Sequence, residues 1–192
     1  VQTCALPISG AIPPNSLSEA DATSLQSLNT PGRMRKFSVT SLSADKDFQK
    51  QLQDIAKHPD TACVFYLSAH AIDERLLDDS SKDSIKDVDA DVVLLSKDDE
   101  FTPKTNRLRL NEVWGTLKKL PEHKKLLLLD LSRLQGSWRL GVFDNFVIEA
   151  VAAAVQREKI PNLFVITACS SGETSWTSPQ LGDSGQSVFG HF

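Results

Sequence analysis

The sequence predicts an α/β fold: a three-layer α/β/α sandwich around a mostly parallel sheet. Three apolar runs carry the prediction, each reaching a polar residue where a strand should stop. They are Val64 to His70, Lys125 to Ser132 and Leu163 to Cys169. Segments with helical spacing lie between them, and strand–helix alternation of this kind builds a parallel sheet with helices on both faces. In such a sheet the carboxyl ends of the strands form one rim, where ligands bind. A histidine, a serine and a cysteine are therefore expected along one edge.

The elements follow in order. A short helix is expected over Ser18 to Leu28, with Ser18 as N-cap and Asp21 as the acidic member of a box-like cap. Phe37-Ser38-Val39-Thr40 alternates and reads as a strand. Phe48, Leu52, Ile55 and Ala56 mark a helix over Asp47 to Lys57, before the strand that ends at His70. Asp73 to Asp91 is dominated by Asp and Glu and reads as a solvated surface insertion, with an acidic tether or a cation-binding loop as the functional alternatives. It lacks the fixed glycine and terminal glutamate of a calcium loop. Val92 to Leu95 is a short strand, and Asn111 to Leu120 an amphipathic helix capped by Asn111 and stopped by Pro121. Asp144 to Glu158 is an Ala/Val-rich helix ended by Pro161, and Ser187-Val188-Phe189 opens another.

Composition narrows the classes. The chain has 192 residues, 40% hydrophobic and 24% charged, which suits one globular domain. A net charge of -4 argues against non-specific nucleic-acid binding, which needs a basic face. No apolar run approaches the roughly 20 residues of a membrane helix, so no membrane contact is expected within this fragment. Three widely spaced cysteines make neither a disulfide framework nor a Cys-x-x-Cys metal pair, so a reducing, cytoplasmic setting is the default. Val1 to Ile8 matches the conceptual translation of a common sequencing adapter. Residues 1–9 are accordingly read as an artefact and 10–192 as one domain, incomplete at both ends.

The order of the strand ends is the informative part. Tyr66-Leu67-Ser68-Ala69-His70 closes one strand, and Leu128-Leu129-Asp130-Leu131-Ser132 closes the next. Ile12-Pro13-Pro14-Asn15, Trp138-Arg139-Leu140-Gly141, Ser175-Trp176 and Ser187 to Phe192 complete the pattern. Together they resemble the caspase-like peptidases, the superfamily that includes metacaspases, most of all a subgroup known from planctomycete-type bacterial genomes. The resemblance runs from Gly10 to the end. It implies a catalytic His at His70 and a nucleophile at the end of the following strand, at Ser132. It also implies that Asp130 lines a pocket for a basic side chain, as the matching residue does in metacaspases, although a strand-end Asp can equally cap local amides. No cofactor or metal is implied for the chemistry itself, although metacaspases often need Ca²⁺ for activation.

Two departures from the family pattern bear on activity. His70 is followed by Ala71, where the superfamily usually has Gly, and the amide there can bind a developing oxyanion. The nucleophile slot holds Ser132 instead of Cys, and a hydroxyl needs a well-aligned base that a thiol needs less. Cys169 is the alternative nucleophile, with Ser170-Ser171-Gly172 as a donor-rich turn, but the Asp130 strand intervenes in sequence between it and His70. Cys63 reads as core. Three functions are open: a degenerate interaction or regulatory module taking a protein or peptide ligand, a working cysteine peptidase using His70 with Cys169, or a structural domain of a larger protein. The sequence leaves the oligomeric state undetermined.

Overall fold

A computed structural model describes residues 20–21, 23–24, 62–74, 91–95, 108–131, 146–182 and 185–191. Its elements are β1 (Cys63–Ser68), β2 (His70–Asp73), β3 (Val92–Leu95), α1 (Leu110–Leu117), β4 (Lys125–Asp130), α2 (Val147–Glu158), β5 (Leu163–Thr167), β6 (Thr177–Ser178), β7 (Gln186–Ser187) and α3 (Val188–His191). The expected strand Phe37 to Thr40, the helix Asp47 to Lys57, most of the acidic stretch, Trp138 to Gly141 and Ser132 lie outside the described residues.

The three apolar runs form one parallel sheet in the order β1-β4-β5. Its register pairs Cys63 with Lys125 and Ser68 with Asp130, then Lys125 with Leu163 and Leu129 with Thr167. Side chains alternate between the two faces of a pleated strand. Leu67, Leu127 and Leu129 therefore share a face, and all three are buried in the main core. Onto that face pack Leu110, Val113, Trp114 and Leu117 of α1, and Val147, Ala150, Val151 and Ala154 of α2. Both helical sets follow the i, i+3, i+4, i+7 spacing that draws an apolar stripe along one side of a helix. The opposite face carries Val64, Tyr66, Leu126, Leu128, Phe164 and Ile166. The helical residues 20–21 and 23–24 meet that face through Asp21, whose carboxylate lies 3.3 Å from the Tyr66 hydroxyl.

Element ends differ from the sequence reading by a few residues, each for a local reason. β1 stops at Ser68, and its last sheet bond is Ala69 N–H to the Asp130 carbonyl at 3.3 Å. The chain then turns into β2, which pairs antiparallel with β3 in the register His70 with Leu95. His70 thus opens a hairpin strand rather than closing a sheet strand. α1 starts one residue before Asn111, and no side chain at its N-cap makes the capping bond. Asp91 does so from twenty residues upstream, its Oδ1 accepting the Asn111 amide at 3.1 Å and the Val92 amide at 2.8 Å. α2 is described from Val147, preceded by a left-handed Phe146 with φ 50°; Asp144 and Asn145 lie outside the described residues.

The base of β4 holds a buried lysine. The Lys125 ammonium donates to the carbonyls of Leu120 and His123, tying down the loop that leaves α1. Burial pushes its pKa below the usual lysine value. Beside it in register, Cys63 is buried as the sequence suggested, and burial raises its thiol pKa.

Candidate functional site

Parallel pairing decides which strand ends can cooperate. β1 and β4 are direct neighbours, with Ser68 opposite Asp130, so the chain leaving β1 toward His70 and the chain leaving β4 toward Ser132 exit side by side. Adjacent strands lie about 4.8 Å apart. Cys169 follows β5, on the far side of β4 and so roughly 10 Å from the β1 exit, two strand spacings away. Of the two nucleophile candidates, the one that follows a strand adjoining β1, which leads to His70, is the serine slot.

His70 is 8% exposed, held at the start of β2. The hairpin's hydrogen bonds fix where the next amide points. Glu74 N–H bonds the Asp91 carbonyl at 2.8 Å, and Leu94 N–H bonds Leu108 on the other side of β3 at 2.9 Å. Bonded and non-bonded positions alternate along an antiparallel pair. His70 and Ile72 therefore face β3 with their amides, and the Ala71 amide faces away from it. Ala71 is not left-handed, so its methyl group brings no backbone strain, and that methyl is fully buried.

Asp130, the last residue of β4, is fully buried. Its Oδ1 accepts a bond from the Ser175 hydroxyl, and its Oδ2 lies 3.2 Å from the Tyr66 hydroxyl. The same tyrosine oxygen lies 3.3 Å from Asp21 Oδ2 and 3.4 Å from Ser187 Oγ. Asp21, also fully buried, accepts the Ser187 amide at 2.9 Å through its other oxygen. One tyrosine hydroxyl therefore stands between two carboxylates, and it can donate its single proton to only one of them at a time.

The β5 exit is built differently. Thr167 Oγ1 donates to the Cys169 carbonyl at 2.9 Å, and the Cys169 thiol donates to the Glu173 carbonyl at 3.4 Å. The Ser170 amide donates to Glu173 Oε2 at 2.8 Å. Both groups proposed from sequence for substrate or chemistry here are engaged within their own turn. Trp176 is 68% exposed beside this rim, next in sequence to the serine that bonds Asp130.

The sequence reading did not single out Tyr66, Asp21 or Ser187 as partners of Asp130, and Ser132 lies outside the described residues. Ser175 was visible only as part of the Ser-Trp pair. Tyr66 carried a usable signal, as the one phenol in the chain, set in an apolar strand four residues before the histidine. Among the described residues no group of three or more His, Cys, Asp or Glu side chains is placed to hold a metal ion. No described helix is long and apolar enough to cross a membrane.

A parallel sheet whose adjacent strands lead to a histidine and to a following Asp-x-nucleophile position is the framework of a caspase-like peptidase domain. A family model for the caspase domain matches residues 18–190, and the chain belongs to that family. No curated protein and no solved structure matches it.

Proposed function

We propose that this domain is a catalytically degenerate member of the caspase family, acting as a protein- or peptide-interaction or regulatory module. The ligand would meet it near His70, Asp130 and the sequence position of Ser132. The observation that carries this reading is the strand order: β4, beside the strand β1 that precedes His70, runs toward a serine in sequence, while the thiol at Cys169 follows β5, the strand beyond it. A serine hydroxyl in that slot lacks the ready ionisation of a thiol. The Asp21–Asp130 pair gives the rim its charge and suits a basic side chain of the ligand.

A peptidyl electrophile carrying arginine tests the reading. The parent protein should remain unlabelled and should not cleave the matching arginyl peptide. Ser132→Cys should become labelled, because it restores a thiol at the family's nucleophile position. Labelling of the parent protein that disappears in Cys169→Ala would instead establish a working peptidase. Binding of a fluorescent arginyl peptide, followed by anisotropy, should weaken about tenfold in Asp130→Asn, the usual scale for one charge-assisted bond.

A further inference from the structure

The geometry points to a latch. The Asp21 and Asp130 carboxylates, with the Tyr66 hydroxyl between them, hold the two arms of the β6–β7 pair against the rim, and the acidic pair opens to a ligand when those arms lift. The consequence for ligand access rests on the proposed basic-side-chain reading; the latch itself rests on contacts alone.

The arms are residues 175–182 and 185–191. The first is fastened at Ser175, whose hydroxyl bonds Asp130. The second is fastened at Ser187, whose amide bonds Asp21 at 2.9 Å and whose hydroxyl stands 3.4 Å from Tyr66. The Val188 amide bonds the Trp176 carbonyl at 2.9 Å, so the arms are joined to each other. Gln186 adds a bond from its Nε2 to Ser24, beside the same helical residues that carry Asp21. The closure is tight. A methyl group on Gly190 would come within 2.8 Å of Ser187 Oγ and 2.9 Å of both the Asp21 carboxyl carbon and the Tyr66 hydroxyl. The Phe189 ring lies 6.4 Å from that of Tyr66, inclined by 26°.

These contacts join the arms to β1, to β4 and to the helical residues near Asp21, and the fastenings at Ser175 and Ser187 converge on the two carboxylates and Tyr66. β6 and β7 are only two residues each, so their own ladder contributes little. Weakening one carboxylate should therefore free the arms while leaving the parallel sheet closed. Local opening of that kind appears in amide exchange, because segments open with their own free energies.

Hydrogen exchange of the full chain provides the test. In Asp21→Asn, peptides covering residues 175–182 and 185–191 should exchange at least about tenfold faster, the scale of one lost bond to a buried charge. Peptides from β4 and β5 should not change. Ser175→Ala keeps both carboxylates and should free the first arm by about fivefold; it serves equally if Asp21→Asn does not fold. Unchanged arms in the folded variants would overturn the latch, as would arms and β4 accelerating together. Freed arms in Ser175→Ala, with no tighter binding of the arginyl peptide than in the parent, would uphold the latch and overturn the peptide-binding reading.

Discussion

The two ends of β4 each bury a charged side chain, and they do so in opposite ways. At the base, Lys125 donates to the carbonyls of Leu120 and His123, both within five residues of it. At the rim, Asp130 is bonded by side chains from 45 and 64 residues away, Ser175 and Tyr66. The basal charge closes one local turn. The charge at the rim joins several distant segments into a single node. A buried charge with local partners fastens one turn, whereas one with distant partners fastens several segments to one another.

Three experiments would break or sharpen that contrast. Lys125→Ala should have the largest effect, about 3 to 5 kcal/mol of unfolding free energy in urea. It removes a packed stem and takes the ammonium from two carbonyls, of which that of Leu120 keeps only the longer bond from the His123 amide at 3.3 Å. The loss should be global, with the arms around Ser175 and Ser187 no more affected than β5; selective loosening of those arms would erase the distinction. Gly190→Ala should cost less, about 1 to 3 kcal/mol, because its methyl group would press on Asp21 and Tyr66. Its effect on proteolysis should concentrate in residues 175–191, and uniform sensitivity across the sheet would argue against a separable rim.

The smallest effect concerns pH. Burial raises the Asp91 carboxyl above its usual 3.8, with the Glu74 charge adding to the rise; the Asn111 and Val92 amides and Arg109 oppose it. Between 3.8 and that raised value, the folded protein holds a proton that the unfolded chain has released. Stability from this group is therefore complete below 3.8 and is lost as pH rises through the folded value. Asp91→Asn should flatten that part of the stability–pH curve, measured by thermal melts from pH 3 to pH 7. An unchanged slope would place the titration elsewhere.

The sheet was legible in the sequence because β1, β4 and β5 are apolar runs, although Val64, Phe164 and Ile166 on one of its faces are exposed. The rim order was legible too, since chain order and right-handed crossovers leave few arrangements for three successive parallel strands. Strand ends were not. His70 looked like the last residue of β1, yet nothing in Ser68-Ala69-His70 announces that the chain changes partners from β4 to β3. The cap of α1 was misplaced for a similar reason: Asn111 has a capping side chain, but the carboxylate that does the work is Asp91, which approaches through tertiary structure. Tyr66 and Asp21 stand 45 residues apart, and local spacing says nothing of their meeting.

The His-Ala dipeptide carries one last consequence. Since Ala71 adopts an ordinary strand torsion and tucks its methyl into the interior, nothing about the turn of the chain asks for glycine there. Putting the superfamily's usual glycine there would hollow out a small space in the main core and loosen the backbone next to His70. At this position the ancestral-looking letter would be the poorer fit.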